Sequence, residues 1–206
     1  MADILKVDLK RKLRHLYNPS PRNVAVIDIP LLNYLMLDGS GKPQTSSDYS
    51  AAVSTLYAVS YALKFMVQKS ATPVNYTVLP LEGLWWSNDM SSFIEARRHE
   101  WQWTMMIMQP EFVTRDEVEL AIAATARKRD LPALTRLRFE ELSEGLCAQI
   151  MHIGPYANEG VTVARLHDYL HSGGHHFNGK HHEIYLNDPR KTAPARIKTI
   201  LRQPFA

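Results

Sequence analysis

The feature that most constrains the fold is an order of predicted elements that occurs twice, about one hundred residues apart. Alternation of apolar residues, helical spacing and turn clusters predict in the first half a strand over 24–37 broken at Pro30, a helix over 49–68, and strands over 75–86 and 101–109. The second half is predicted to have strands within 134–153, a helix over 159–170, and strands over 182–186 and 197–202. Each half therefore has the order strand, helix, strand, strand, which predicts an α+β fold of duplicated βαββ units.

A chain of 206 residues is long enough to bury a sizeable core as one domain. We expect one domain over 1–206, with a first module at 22–112 and a second at 134–206. A connecting helix is expected within 113–133, where Thr114-Arg115-Asp116-Glu117 is close to a capping box.

Three sequence features concern the cellular compartment and the kinds of partner that the protein can have. The single cysteine, Cys147, lies in an apolar run and favours a small core residue in a reducing compartment over a nucleophile. A run of about 18 apolar residues is missing, and so is an apolar leader, so we expect a cytoplasmic protein that does not enter the membrane. The basic run over 10–14 has no aromatic platform beside it, so a solvated helix face is favoured over direct nucleic-acid binding.

Two glutamates lie inside aromatic, strand-like segments. Because strand side chains alternate, Glu82 shares a face with Trp86, and Glu183 shares a face with Tyr185. Loss of water beside aromatic rings should raise the pKa of such a carboxyl group, which could then act as an acid or base or balance a cationic ligand. A single strand glutamate is more often an exposed ion-pair residue. Two glutamates at corresponding places make the two interpretations about equal.

Aromatic residues are the second indication of a pocket. All four tryptophans fall in one short stretch, at Trp85, Trp86, Trp101 and Trp103. Tyr57 and Tyr61 lie one turn apart on the predicted helix. An aromatic stripe usually fills a core, but tryptophans next to a glutamate favour a cradle for a planar ligand, with Met151 among soft walls.

The histidines give a weaker signal. His167 and His171 stand at i, i+4 on the predicted helix, yet a HExxH pattern is missing and the later histidines are expected in a solvated loop. His152 is a candidate pocket residue, although hydrogen-bonded core is the more common situation. Glycine-rich phosphate loops are also missing, so we expect neither a metal nor a cofactor.

Four segments, at 79–86, 101–110, 144–155 and 180–190, resemble the GyrI-like small-molecule-binding family. The resemblance runs from about residue 3 to the C-terminus. It implies two SHS2 modules, each a strand, a helix and two strands, related by a pseudo-twofold axis with a central ligand cleft between them.

The chain looks most like the stand-alone branch of that family, whose members are described as hydrolases that add water to the cyclopropane ring of DNA-alkylating cyclopropanoid toxins. The resemblance implies a planar aromatic partner, Glu183 as the main acid or base with Glu82 as its partner, and Tyr185 orienting water or the ligand carbonyl. The residues expected to surround the ligand are Trp85, Trp86, Trp103, Tyr57, Tyr61, Met151 and His152.

A second possibility is a non-catalytic protein that sequesters or senses flat, often cationic drugs in the same pocket. A gyrase-inhibitor type of protein partner is a weaker third possibility. Fewer than 24 residues precede the first predicted strand, which is too few for a separate DNA-binding domain. The sequence leaves a monomer and a homodimer equally open.

Overall fold

The computed structural model describes residues 4–43, 46–87 and 101–206. Its strands are β1 (Leu5–Lys6), β2 (Ala25–Ile29), β3 (Leu32–Ser40), β4 (Val74–Asn75), β5 (Leu81–Trp86), β6 (Gln102–Gln109), β7 (Arg138–Leu142), β8 (Gly145–Ile153), β9 (His181–Tyr185) and β10 (Lys198–Pro204). Its helices are α1 (Leu9–Lys12), α2 (Arg14–Tyr17), α3 (Ser47–Gln68), α4 (Arg115–Ala126) and α5 (Glu159–Ser172), with short 3-10 turns at Leu134–Arg136, Tyr156–Asn158 and Pro194–Arg196.

Eight strands form one antiparallel sheet in the order β2-β8-β10-β9-β5-β6-β3-β7. Only two residues separate the end of β2 from the start of β3, although these strands lie near opposite ends of that order. The sheet must therefore curl so that its two ends approach each other. The α+β class is confirmed.

Both halves have the predicted order of elements. β3, α3, β5 and β6 belong to the first half, and β8, α5, β9 and β10 occupy the same places in the second. The sheet order is the same from either end, because β5 and β9 pair at the centre, β6 and β10 flank them, and β3 and β8 follow. The two halves also exchange strands, since β2 pairs with β8 and β7 pairs with β3.

α3 begins at Ser47, two residues before the predicted range of 49–68, and is capped by the Ser46 hydroxyl, which accepts a hydrogen bond from the Tyr49 backbone N–H. The helix is 22 residues long and apolar enough that length and composition alone would allow a membrane span. It packs on β3 and β6, and one side of it is buried, including Leu56, Val59 and Leu63. This packing is that of a core helix on a sheet.

α5 packs on β8 and β10 through Leu166 and Leu170, so both long helices cover the same face of the sheet. α4 packs against α3 and begins with a complete capping box between Thr114 and Glu117. On the opposite face of the sheet, the segment containing α1 and α2 buries Leu9 and Leu16.

Candidate functional site

In the parts of the chain that the structure describes, the two long helices pack on the outer strands of their face of the sheet rather than on its middle. α3 lies on β3 and β6, whereas α5 lies on β8 and β10. In the described ranges, the central strands β5 and β9 therefore form the floor between the two helices, with α3 and α5 as walls. We call this space the central cleft.

Strand register decides which side chains face the central cleft. Gly83 of β5 lies directly opposite Glu183 of β9, and Leu81 lies opposite Tyr185. Because residues that pair across antiparallel strands point to the same side, Glu183, Tyr185 and Trp85 share the helix-bearing face.

Glu82 points the other way. It lies opposite Ile184 and is completely buried on the face that carries α1 and α2. The prediction that Glu82 and Glu183 occupy corresponding places and meet in one cleft is therefore wrong. Gly83, rather than Glu82, lies opposite Glu183, and the one-residue offset sends the two carboxylates to opposite sides.

A short hydrogen-bond chain runs along the floor of the cleft. The Trp85 indole Nε1–H donates to the Tyr185 hydroxyl oxygen over 3.0 Å, and that hydroxyl donates to Glu183 Oε2 over 2.7 Å. The Glu183 side chain is 16% exposed, so it is mostly removed from water but still reachable. These two hydrogen bonds hold the Glu183 carboxylate in place through one of its oxygens. A general base needs such a fixed position.

Other aromatic residues surround this chain. Tyr156 contacts Tyr185 edge-on at a ring separation of 6.0 Å, and Trp101 contacts Trp85 edge-on at 5.8 Å. Tyr49 of α3 is partly buried and lies within electrostatic reach of Glu183. These rings give the cleft planar, mostly apolar walls around Glu183.

Burial keeps the tyrosines of the cleft protonated. It raises the pKa of Tyr185 well above 10, and the charge of Glu183 raises it further. Burial, followed by Glu159 and Glu183, raises the pKa of Tyr156 to about 12. At neutral pH each phenol is therefore a hydrogen-bond donor.

His181 lies beside Glu183 on the same face, with Nε2 3.7 Å from Glu183 Oε1. Burial, with His167 and His182 nearby, lowers the pKa of His181 to about 3, so its imidazole is neutral. The expectation that the late histidines lie in a solvated loop is wrong for His181 and His182, which belong to β9 and are buried or nearly so.

Glu82 is part of a buried charge cluster on the other face. Its Oε1 accepts a hydrogen bond of 2.7 Å from the Tyr17 hydroxyl, and its Oε2 lies 3.0 Å from His182 Nε2. His182 Nδ1 lies 3.0 Å from Glu144, and Arg202 Nη1 donates to Glu144 over 3.1 Å. The cluster joins two carboxylates to two cations, so each buried charge has a partner.

The cluster changes the pKa values of His182 and Glu144. Burial alone would lower the pKa of His182, but Glu144 and Glu82 together raise it to about 9. Burial alone would raise the pKa of Glu144, but His182 and Arg202 lower it to about 2. Arg202 and Gln149 also donate to backbone carbonyls of Leu16 and His15, so the cluster holds the N-terminal segment in place.

Several residues predicted to surround the ligand lie away from Glu183. Trp86 alternates with Trp85 and points to the other face, where Lys180 Nζ lies 3.3 Å from its ring centre. Met151 is packed with Ile184 on that other face as well. The prediction that these two side chains line the cleft is therefore wrong.

Trp103 is on the correct face but is fully buried beneath Tyr49, 5.5 Å from it. It supports the cleft wall from behind. His152 is hydrogen-bonded to Thr162 at 2.9 Å, which holds α5 against β8. The alternative reading of His152, as hydrogen-bonded core, agrees with this contact.

The α3 tyrosines lie farther out than the cleft floor. Tyr57 is partly buried and within electrostatic reach of Asp188 and Arg190. Tyr61 stacks on Tyr57 at 6.4 Å and is 47% exposed. The two rings therefore form an outer aromatic surface, and whether a ligand contacts them stays a prediction.

A surface groove of about 760 Å³ lies between β8 and the start of α5, where Met151 and His152 border it with Arg165 and Pro21. Glu183, Tyr185 and Trp85 are not among its lining residues. The described residues that line the groove include no carboxylate, so we place the candidate chemistry in the central cleft.

Among the described residues, histidine, cysteine and carboxylate side chains do not gather into a group of three that could hold a metal. His167 and His171 instead pack against the ring of Phe177. Cys147 is buried, and burial followed by the charge of Glu144 raises the pKa of its thiol to about 12. It lacks the thiolate character of a nucleophile.

Sequence reasoning missed Tyr49 and Tyr156, which lie near Glu183, and Glu159, which lies near Tyr156 and Tyr185. Tyr49 lies eight residues, or about two helical turns, before Tyr57, so helical spacing could have placed it on the same side of the helix as Tyr57 and Tyr61. Tyr156 and Glu159 precede and begin α5 in a turn, and their closeness to β9 is a tertiary contact without a local signal.

Comparisons with known proteins agree with this architecture. A family described as GyrI-like small molecule binding domain matches residues 22–204. An uncharacterized conserved protein from Listeria innocua has 37% sequence identity and a TM-score of 0.86, with 97% of this chain and 100% of that chain covered. A structure described as a hydrolase from Listeria innocua has 37% identity and a TM-score of 0.83 over 97% and 100% of the two chains.

The C-terminal domain of EcmrR shares the fold at a TM-score of 0.57, with 12% identity over 89% of this chain and 97% of that domain. A search of curated proteins found no match.

Proposed function

This chain belongs to the GyrI-like small-molecule-binding family, and we propose that it binds a planar aromatic compound in the central cleft and adds water to it. The single observation that carries this proposal is the chain from Trp85 through Tyr185 to Glu183. A carboxylate fixed by a neighbouring donor, at the floor of an aromatic cleft, has the placement that a general base needs.

The aromatic walls support a flat ligand. Tyr49, Tyr156 and Trp101 surround the floor of the cleft, and Tyr57 lies farther out. Planar rings stack or meet edge-on with such side chains and gain about 0.5–1.5 kcal/mol per pair beyond area burial. A ligand with one or more fused rings would make these contacts without disturbing Glu183.

Two facts support hydrolysis over binding alone. The cleft holds an acid–base group rather than only apolar walls, and a protein with 37% identity over nearly all of the chain is described as a hydrolase. Both Listeria proteins are covered over 100% of their length, so the resemblance is to whole chains of this size.

The reaction we propose is the addition of water to the cyclopropane of a spirocyclopropyl cyclohexadienone, as in cyclopropanoid DNA-alkylating toxins. Glu183 takes a proton from water as the water oxygen bonds to the cyclopropane CH₂ carbon. The strained carbon–carbon bond breaks, and its electron pair moves through the dienone to the carbonyl oxygen, which becomes a phenol oxygen. The product carries an alcohol and has lost its alkylating carbon.

The roles of the cleft residues follow from their contacts. Tyr185 donates to Glu183 Oε2 and thereby holds the carboxylate in the orientation in which it takes a proton from water. Trp85 holds the Tyr185 hydroxyl and makes a floor of the cleft, so both act on Glu183 rather than on the reacting carbon. Burial of Glu183 next to these rings strengthens its interaction with water and substrate by lowering the local dielectric. We further propose that this takes place in the cytoplasm, which the unpaired Cys147 supports.

The test is to incubate a duocarmycin-type spirocyclopropyl cyclohexadienone with the protein in excess substrate and to follow the water adduct by mass spectrometry. We expect each protein molecule to produce many molecules of the water adduct. Glu183→Gln should lower the rate about 100-fold or more, as loss of a general base does, while it keeps binding measured by tryptophan fluorescence.

Glu119→Gln is the matched control, because Glu119 is an exposed glutamate on α4 and should leave the rate unchanged. If free compound disappears in a one-to-one ratio to the protein and no water adduct forms, the protein sequesters the compound and does not hydrolyse it. An adduct rate that is equal in Glu183→Gln and in the wild type would remove Glu183 from the mechanism.

A further inference from the structure

The hydroxyl of Tyr185 is fully engaged. Its one proton is donated to Glu183 Oε2, and its oxygen accepts the indole N–H of Trp85. A tyrosine hydroxyl has one proton to give, so Tyr185 has none left for a ligand oxygen. The family resemblance implies that Tyr185 orients water or the ligand carbonyl, and its hydrogen bonds leave it no proton for the carbonyl.

The water-addition step nevertheless needs a donor at the ligand oxygen. As the ring opens, the electron pair moves to that oxygen, and negative charge passes from Glu183 to the ligand. In a cleft with low dielectric an oxyanion without a donor is costly, and a single positioned donor is worth about 10²–10³ in rate.

Tyr156 is placed to supply this donor. It lies at the start of the turn before α5, and its ring meets the ring of Tyr185 at 90° with 6.0 Å between centres. It is partly exposed, and it feels the charge of Glu183 from the α5 side of the cleft. Its phenol is thus next to the base without being part of the Trp85–Tyr185–Glu183 chain.

We propose that Tyr156 is a catalytic residue of the cleft, whose phenol O–H donates a hydrogen bond to the ligand oxygen that becomes anionic as water adds. This role rests on the proposed function and supplies the hydrogen-bond donor that the proposed reaction needs at the ligand oxygen. The proton that Glu183 takes from water then leaves to solvent, the product oxygen gains a proton from solvent, and the cleft returns to its starting state.

The ionisation state of Tyr156 supports this role. Burial, then Glu159 and Glu183, raise its pKa to about 12, so it keeps its proton over the whole neutral range. Tyr49 is another phenol near Glu183, but it is packed edge-on against Trp103 on the α3 side. Tyr156 is therefore the better-placed donor.

The experiment compares Tyr156→Phe with Tyr169→Phe, the same substitution at a half-exposed tyrosine on α5. With a spirocyclopropyl cyclohexadienone as substrate, Tyr156→Phe should lower kcat about 100-fold and change KM less than about threefold, since the donor acts mainly on the developing oxyanion. Tyr169→Phe should match the wild type.

A second measurement separates this role from a structural one. The phenolate form of the product, titrated by tryptophan fluorescence, should bind Tyr156→Phe about tenfold more weakly than wild type, and the neutral phenol should bind both alike. An unchanged kcat in Tyr156→Phe, or an equal loss of affinity for both product forms, would overturn the inference alone. Absence of turnover in the wild type would overturn the proposed function together with it.

Discussion

His182 lies between two buried carboxylates, with Nδ1 3.0 Å from Glu144 and Nε2 3.0 Å from Glu82. The substitution His182→Gln keeps a side chain of similar length that can still hydrogen-bond, but it removes the positive charge. Glu82 and Glu144 would then share a buried space with Arg202 as their only strong cation among the described residues. We expect a marked loss of stability with a defined pH dependence.

The magnitude follows from the pKa of His182. Its rise from 6.5 to about 9 corresponds to about 3 kcal/mol of folding free energy, since one pKa unit is worth about 1.4 kcal/mol. Removal of one partner from a buried ion pair costs about 3–5 kcal/mol in other proteins, which agrees. We therefore expect His182→Gln to lower the free energy of unfolding by about 3 kcal/mol at pH 7.

The sign of the pH dependence is also fixed. The folded pKa is higher than the unfolded pKa, so the stabilisation by His182 is complete below pH 6.5 and is lost as the pH rises through about 9. The difference between wild type and His182→Gln should therefore shrink steadily on the alkaline side. Other groups that titrate there are present in both proteins and cancel in the difference.

The assay is urea unfolding of both proteins at one-unit steps from pH 6 to pH 10, followed by tryptophan fluorescence. His176→Gln is the control, because His176 is exposed and the substitution there should change stability by less than about 0.5 kcal/mol. The reasoning is refuted if His182→Gln costs no more than this control at pH 7, or if its cost is as large at pH 10 as at pH 7.

Three further predictions concern single side chains. Glu144→Gln should lower the free energy of unfolding by about 3 kcal/mol at pH 7, because the pKa of Glu144 is lowered to about 2 in the folded protein. The stabilisation by Glu144 is lost as the pH falls from 4.5, so the substitution should also make stability depend less on pH on the acid side. Urea unfolding at pH 7 and pH 3 measures both effects. Trp85→Phe removes the donor to Tyr185 and should slow water addition about fivefold, since one neutral hydrogen bond is worth about 1 kcal/mol; an unchanged rate contradicts it. Gly39→Ala would place a methyl group against the ring of Trp103 and should destabilise the fold by about 1–3 kcal/mol, whereas a melting temperature equal to that of wild type would show that the ring can move aside.

Sequence patterns within a few residues were sufficient to predict most of the long helices and strands. The Thr114–Glu117 capping box starts α4 where the sequence indicates, and α3 covers the predicted range of 49–68 with two more residues at its start. The break at Pro30 separates β2 from β3. Such signals depend on neighbours within a few residues, so the chain carries them without help from the fold. The segment predicted as one strand over 75–86 is an exception, because only Val74–Asn75 and Leu81–Trp86 form strands and Pro80 lies between them.

Within one strand, alternation also located part of the site. It placed Glu183 and Tyr185 on one face, and their hydrogen bond of 2.7 Å agrees with that. It placed Glu82 with Trp86 and hence away from Trp85, which the structure also has. Alternation has no information on which face of β5 matches which face of β9.

The sequence by itself therefore determined the elements, their order and the facing of side chains along each strand. Only the tertiary structure decided that Glu183 lines a cleft with Tyr156 and Tyr49, while Glu82 is buried with His182 and Glu144 on the reverse side. The physical reason is that pairing register between distant strands is set by the packing of both faces at once, and a shift of one residue moves a side chain from one face to the other.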